Sequence, residues 1–191
     1  MKKISLTTKK ELDIYMSPTR QQLLRLLSIQ GSPMTPKQLS DKLQISASGV
    51  QHHIKKLVQL GIVELDHTET VNGITASFYR HAQVMVSIGL NRTDGLSEQK
   101  EVLVQNCIAQ VYDGFREQMK KRAGLSEEYD AGKLQKWGDI LSGVVHLNKK
   151  ESEELIRLVT GFIEQHSSPT AESSPWEYAV IAYNAEEIGN E

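Results

Sequence analysis

The sequence predicts an α+β protein in which three short helices and a β-hairpin are followed by a long helix and a small α/β segment. In the first half, capping residues separate short runs of helix-type apolar spacing, which change to strand-type alternation after Gly61. In the second half, apolar residues recur every three or four positions from residue 97 to about residue 122. We therefore expect one domain at 1–88 and another at 96–191, joined by a linker around residues 89–95.

The first two helices are marked by their caps. Ser17 is followed by a proline at the first helical position, which predicts a helix from about residue 18 to residue 29, and Gly31 ends it. Thr35-Pro36-Lys37-Gln38 is a capping box that opens a second helix, which ends near Gln44. Only a short link separates this helix from the next one.

The third predicted helix has one apolar and one polar face. Ser46 can cap this helix, and Gly61 ends it. Val50, Ile54 and Leu57 lie 4 and 3 positions apart and face inward. Since successive residues rotate by about 100°, the outward and flanking positions are occupied by Ser48, Gly49, Gln51, His52, Lys55, Lys56 and Gln59. His53, beside Ile54, is interpreted as a packing residue.

A β-hairpin is predicted after the third helix. Residues 62–65 and 74–79 alternate in strand fashion around a turn at Asn72-Gly73, and a further β-rich run at 84–88 leads out of the domain. Three helices, with a short link between the second and third, and then a hairpin are the order of a winged helix-turn-helix. In that fold the third helix enters the major groove of DNA. The sequence thus predicts a reader of double-stranded DNA.

The charge distribution fits a polyanion partner for the first domain. Residues 1–60 hold ten basic and three acidic side chains, a net charge of +7, whereas residues 81–191 hold 11 basic and 18 acidic ones. Lysines placed on phosphates release condensed counterions, which favours binding. The near strand of the hairpin is acidic, with Glu64, Asp66 and Glu69, so we expect any wing contact at the tip, around residues 70–75.

Nine residues are candidates for DNA contact. Serine, glutamine, histidine and lysine on the third helix can bond to base edges, and lysine can also hold phosphates. Glycine there allows a close approach of the backbone, and free amides at the start of the second helix can bind a phosphate. The candidates are Thr35, Lys37, Ser46, Ser48, Gly49, Gln51, His52, Lys55 and Lys56.

The second domain is expected to pair two copies of the chain. The long helix carries a stripe of apolar and aromatic residues that includes Val104, Ile108 and Phe115. This stripe fits a core or a dimer seam, and a pocket for an unknown small-molecule effector is the second interpretation. A strand at 139–147, a helix capped by Asn148 and a strand at 176–183 complete the predicted domain.

Several function classes lack support in the sequence. Cys107 is the single cysteine, so no intrachain disulfide or multi-cysteine metal site can form, and the six histidines show no ligand spacing. No Gly-rich phosphate loop, GxSxG or HExxH motif occurs. We therefore expect no enzyme activity, metal or cofactor. The sequence shows no signal peptide and no membrane span, which predicts a cytoplasmic protein with no membrane partner.

The sequence resembles a known family of regulators over roughly residues 15–81. The run SASGVQHHIKKL followed by GIVE, and a hairpin ending in SFYR, are similar to the winged helix-turn-helix of ArsR-like transcriptional regulators. VVHLNKKESEEL and WEYAVIAYN resemble the C-terminal region of a branch with an added dimerising α/β segment. The resemblance implies a homodimer that binds two DNA half-sites about one helical turn apart. Metal-sensing members carry paired cysteines on the second helix of the motif, but TPKQLSDKLQ has none.

Two functional hypotheses follow from the sequence. The first is a dimeric repressor that binds an inverted-repeat operator, with changes in the acidic C-terminal half altering the spacing of its two recognition helices. The alternative is a winged-helix module that binds protein or RNA without specific binding to duplex DNA, which the acidic wing favours. The salt dependence of binding distinguishes a DNA regulator from a protein-binding module, because contacts with phosphates release counterions.

Overall fold

The computed structural model describes residues 2–71, 73–87, 95–123 and 138–186. It mixes helices and strands, and the predicted order of three helices, a hairpin and a later long helix is confirmed. The elements are β1 (Lys2–Ser5), α1 (Lys9–Met16), α2 (Pro18–Gln30), α3 (Pro36–Leu43), α4 (Ala47–Gln59), β2 (Val63–Val71), β3 (Ile74–His81), β4 (Val84–Ser87), α5 (Ser97–Ala123) and α6 (Lys149–Gln165).

One apolar core holds α2, α3, α4 and the base of the hairpin together. Each helix contributes leucine, isoleucine or valine side chains at helical spacing, and Ile62 and Val63 enter the same core from the start of the hairpin. Met34, between α2 and α3, exchanges two backbone hydrogen bonds with Tyr79 of β3, at 2.8 and 2.9 Å. This bridge fixes the wing to the helices. The buried members are Leu23, Leu24, Leu27, Met34, Leu39, Val50, Ile54, Leu57, Ile62 and Val63.

The hairpin is an antiparallel pair with one irregularity. β2 and β3 pair from Val63 opposite His81 to Val71 opposite Ile74, and a bulge at Asp66 shifts the register between Leu65 and His67.

The N-terminal residues form two elements that the sequence analysis did not predict. β1 pairs with β4 in parallel, from Lys2 opposite Val84 to Ser5 opposite Ser87. α1 starts at Thr8, which forms a reciprocal capping box with Glu11, and it buries Leu12. The first domain therefore has an additional strand and helix in front of the helix-turn-helix.

The C-terminal half contains two helices among its described residues. α5 agrees with the long helix predicted, and α6 begins at a capping box between Asn148 and Glu151. The predictions of strands at 139–147 and 176–183 are wrong for the single chain, because neither segment has a ladder partner among the described residues. Residues 1–101 with 144–176 form one compact unit, and residues 102–143 with 177–191 form the other. The boundaries of 1–88 and 96–191 stay a prediction.

Within the described residues, the chain has no helix both long enough and apolar enough to span a membrane.

Candidate nucleic-acid interface

The two faces of α4 lie as its spacing predicts. Val50, Ile54 and Leu57 are buried in the core, with relative exposures of 0%, 1% and 0%. Ser48, Gln51, His52 and Lys55 are exposed, whereas Gly49 and Lys56 are half-buried at the edges of the polar face. The helix thus presents a continuous polar surface on the side opposite the core, where a nucleic acid could contact it.

The turn between α3 and α4 sets the direction of α4. Gln44 takes a left-handed backbone conformation, with φ at 56°, which ends α3 and changes the direction of the chain. The hydroxyl of Ser40, a buried residue of α3, donates to the carbonyl oxygen of Ile45 at 2.7 Å and so fixes the short link between α3 and α4. Ser46 then accepts a hydrogen bond from the Gly49 amide at 3.1 Å and caps α4.

Two of the predicted contact residues have structural roles as caps. The Thr35 hydroxyl accepts from the Gln38 amide at 3.2 Å, and the Gln38 side chain accepts in return from the Thr35 amide at 2.8 Å. Ser46 caps α4 through one such bond, from the Gly49 amide. Both hydroxyls make a second contact as well: that of Thr35 donates to the Gln38 side-chain oxygen at 3.2 Å, and that of Ser46 lies 3.2 Å from the Ser48 hydroxyl. What these two positions offer a phosphate is therefore the backbone amides around them.

The cations of α3 and α4 differ in their environment. Lys37 lies 2.6 Å from the Asp41 carboxylate, an exposed ion pair one helical turn apart that reduces the charge it presents. Lys55 and Lys56 have no acidic partner among the described residues, and α4 carries no acidic side chain. The positive charge of the polar surface is therefore concentrated on α4.

Gly49 has a steric reason to be glycine. A Cβ atom at this position would lie 3.0 Å from the Ser46 hydroxyl oxygen, which is the cap of α4. A larger residue would push the cap aside, so Gly49 maintains the start of α4 whether or not a ligand approaches it.

Arg20 joins α1, α2 and α4, which the sequence analysis missed. Its guanidinium donates to the backbone carbonyls of Ile14 and Asp13 in α1, and its Nη1 lies 3.3 Å from Nδ1 of His53 in α4. Partial burial, the positive charge of Arg20 and the neighbouring His52 hold the pKa of His53 below its ordinary value. His53 is therefore neutral near pH 7, and it packs on this side of α4, as predicted.

Two of the three acidic residues of the wing, Glu64 and Asp66, are paired with neighbouring side chains. Arg80 donates to Glu64 at 2.8 Å and lies 3.1 Å from Asp66, and His67 lies 2.6 Å from the other oxygen of Asp66. Glu69 lies on the same side as Glu64. It is opposite Ala76, and Ala76 and Arg80, four positions apart on β3, face the same side of the strand. The repulsion of phosphates expected from this strand is thus partly offset inside the wing.

The other face of the wing is neutral. Thr68 is opposite Ser77, and Thr70 is opposite Thr75, so four hydroxyls share the side on which Tyr79 packs against the core. Hydroxyls can donate to phosphate oxygens without any net charge. The sequence pattern could have shown that hydroxyl and acidic side chains lie on different faces, because the hydroxyls of Thr68 and Thr70 alternate with Glu69 along β2. Nearer the base of the hairpin, the bulge at Asp66 interrupts this alternation.

No metal-binding site is found in the part of the chain that the structure describes. No three His, Cys, Asp or Glu side chains there are placed to hold a metal ion. Cys107 on α5 is half-buried, and burial raises the pKa of its thiol, which keeps it protonated and unreactive.

Comparison with protein families gives a match to residues 15–66, which include α2, α3, α4 and the start of β2. The matching family is described as a helix-turn-helix domain. This part of the chain is a helix-turn-helix domain. All nine predicted contact residues lie within it, and the β2–β3 hairpin that follows is its wing.

Solved structures with similarity to the chain include three regulators from different organisms. A "possible transcriptional regulator" from Methanosarcina mazei Go1 shares 17% identity over 58% of this chain and 78% of its own, with a TM-score of 0.28. The adhesin competence repressor AdcR from Streptococcus pyogenes shares 16% over 82% and 84%, with a TM-score of 0.32. The multiple antibiotic-resistance repressor MarR from Listeria monocytogenes shares 12% over 81% and 76%, with a TM-score of 0.31. Similarity at this level supports no conclusion about function. No curated protein matches the chain significantly.

Proposed function

We propose that the chain is a sequence-specific, DNA-binding transcriptional regulator of the ArsR-like type, a homodimeric repressor that binds an inverted-repeat operator. It has no catalytic role in this proposal. The observation that carries it is the polar face of α4, where Ser48, Gln51, His52 and Lys55 are exposed opposite a fully buried apolar stripe. A recognition helix needs this division, because one face must fix the helix to its domain while the other contacts base edges.

The charges around α4 support duplex DNA as the ligand. Lys55 and Lys56 have no internal acidic partner in the described structure, so they can bind phosphates without first breaking an ion pair. The helix before the proposed recognition helix, α3, begins at Thr35 and carries Lys37 in its first turn. The free amides at this N-terminus can bind a phosphate. The hydroxyl face of the wing offers a third, neutral contact with the DNA backbone.

Selection of bound sequences from random duplex DNA tests this proposal, followed by affinity measurements at several salt concentrations. We expect an enriched inverted repeat with half-sites about one helical turn apart. The logarithm of the affinity should fall with that of the salt concentration, with a slope of about −0.9 per phosphate neutralised. No enrichment together with a flat salt response would contradict the proposal.

A protein- or RNA-binding module is the second candidate, and the acidic face of the wing favours its protein-binding form. Glu64, Asp66 and Glu69 would repel a nucleic acid that lay along that face, whereas a basic protein would bind to it. Reversal of two charges, with Glu64→Lys and Glu69→Lys, distinguishes the candidates. A DNA regulator should bind duplex DNA as well or better, while a module that uses this face should lose its protein partner.

A further inference from the structure

A basic patch lies at the N-terminus, where the first ten residues contain four lysines and no acidic residue. Lys2 and Lys3 belong to β1, and Lys9 and Lys10 open α1; these four residues form the N-terminal basic patch. All four side chains are exposed, and none is paired with a carboxylate in the part of the chain that the structure describes. The patch lies outside residues 15–66, the segment that matches the helix-turn-helix family.

The carboxylate that follows the patch is held by backbone amides. Glu11 accepts hydrogen bonds from the amides of Thr7 and Thr8, at 3.0 and 2.9 Å, as part of the capping box of α1. This carboxylate therefore stabilises the start of the helix and is not bonded to a lysine. With Asp13 included, residues 1–13 hold four lysines against two acidic residues, a net charge of +2.

The two elements that carry the patch both border α4. Ile4 of β1 packs against the core, and a Cβ atom at Gly61, two positions beyond α4, would lie 3.6 Å from its Cδ1 atom. β1 is therefore beside the C-terminal end of α4. α1 reaches the flank of α4 through the contact of Arg20 with His53, and Lys56 lies three positions further along on that same flank. The lysines of the patch are thus carried by elements that adjoin the basic end of α4.

The start of α6 has the same local sequence as the start of α1 in a different electrostatic setting. α1 begins with Thr-Lys-Lys-Glu and α6 with Asn-Lys-Lys-Glu, and both form a reciprocal capping box. However, α6 carries three basic residues against four acidic ones, with Glu153 and Glu154 soon after the box. The capping boxes are alike, so the two helix starts differ in the charge around them. Lys149 and Lys150 therefore provide a matched control for the lysines of α1.

We propose that the N-terminal basic patch binds phosphates of duplex DNA beside the site that α4 contacts. A lysine ammonium group can donate hydrogen bonds to phosphate oxygens, and each phosphate that it neutralises releases a condensed counterion. Such contacts fix the position of a protein on the duplex without reading its sequence. This inference rests on the proposed function and deepens it, because it extends the DNA-binding surface beyond the nine contact residues to β1 and α1.

Removal of two charges at a time from the full chain tests the patch. Lys9→Gln with Lys10→Gln and, as the control, Lys149→Gln with Lys150→Gln remove the same charge from the same two positions of a capped helix. Fluorescence anisotropy with the selected operator and an unrelated duplex gives the affinities at several salt concentrations. The α1 variant should make the salt slope shallower by about 1.8, since each lysine on a phosphate contributes about 0.9, and the control should leave it unchanged. From about 50 to about 200 mM salt, the affinity deficit of the α1 variant should therefore shrink roughly 10-fold.

The lysines of β1 should contribute less than those of α1. Neighbouring side chains of a strand face opposite sides, so a duplex on one side meets only one of Lys2 and Lys3. Lys2→Gln with Lys3→Gln should therefore make the salt slope shallower by about 0.9. An unchanged slope would overturn the part of the proposal that concerns β1.

The loss of affinity in the α1 variant should be equal for the operator and the unrelated duplex, because phosphate contacts do not depend on sequence. A loss confined to the operator would show that the variant disturbs α4, and it would overturn the proposal. Equal salt slopes for the unmodified chain and the α1 variant would overturn it too, and the proposed function would stand if Lys55→Ala still weakened binding in the same assay. A chain that binds no duplex at any salt concentration would refute the proposed function and this inference with it.

Discussion

Replacement of Lys55 by alanine tests most directly whether α4 is the recognition helix. Lys55 is exposed on the polar face, and no acidic side chain is paired with it in the described structure. Its removal therefore leaves no unpaired carboxylate behind, and loss of DNA affinity reports the contact with DNA alone. The fold should be unaffected, because exposed substitutions away from special features change stability by about 0.5 kcal/mol or less.

The size of the effect depends on what Lys55 contacts. If it bonds to a base edge, we expect a loss of about 1–3 kcal/mol at the selected operator, which is roughly 5- to 150-fold in affinity, with little change in binding to unrelated duplexes. If it holds a phosphate, affinity should fall for all sequences, and the salt slope should become shallower by about 0.9. His52→Ala should show the first pattern, because the imidazole is placed to bond to a base edge.

Fluorescence anisotropy with a labelled operator and a labelled unrelated duplex, each at several salt concentrations, gives both quantities. Lys150→Ala is the matched control, because it removes the same charge from an exposed position on α6, outside the proposed DNA interface. If Lys55→Ala and Lys150→Ala have the same affinities and salt slopes, α4 does not contact DNA through Lys55. The assignment of the polar face would then be refuted.

Three further predictions concern stability and charge. Ile54→Ala should lower the free energy of unfolding by about 2–5 kcal/mol in urea denaturation, because the side chain is fully buried in the core; a loss below about 1 kcal/mol would contradict the packing described for α4. Arg80→Gln should weaken DNA binding at low salt, because it removes a positive charge and leaves Glu64 without its partner on the wing, and this loss should shrink as salt screens the carboxylates. The folded pKa of His53 lies below its unfolded value of about 6.5, so the unfolded chain binds protons more readily than the folded one. Stability is therefore lost as the pH falls below that value. His53→Gln should make this loss of stability shallower, and identical pH profiles for the two proteins would refute the role of His53.

The helix-turn-helix could be predicted from the sequence because its signals are local. Thr35 and Ser46 are followed by the partners that make them caps, and the buried positions of α4 follow a 3.6-residue period. These features act over a few residues, so the pattern and the structure agree closely. The capping box between Thr8 and Glu11 is a signal of the same kind, and it could have revealed α1.

The features that the sequence did not predict depend on residues far apart in the chain. β1 is a strand only because β4 lies beside it, about 80 positions later. The contact of Arg20 with His53 joins three helices, and no local pattern marks it. The C-terminal segments show the reverse case, since their strand-forming sequence is plain while the single chain offers no ladder partner among the described residues.

The pairing of β1 with β4 determines how a mechanical load on the chain would reach α4. Leu6 donates its amide hydrogen to the Ser87 carbonyl at 3.0 Å, which extends the ladder to the end of β4. Just before β4, the Ala82 amide donates to Ile62, whose own amide donates to Leu57 of α4. A pull on Ser87 is therefore resisted by β1 in shear and transmitted through two hydrogen bonds to the last turn of α4. Removal of residues 2–6 would take away this resistance and leave the hydrogen bond between Ala82 and Ile62 to carry the load toward α4.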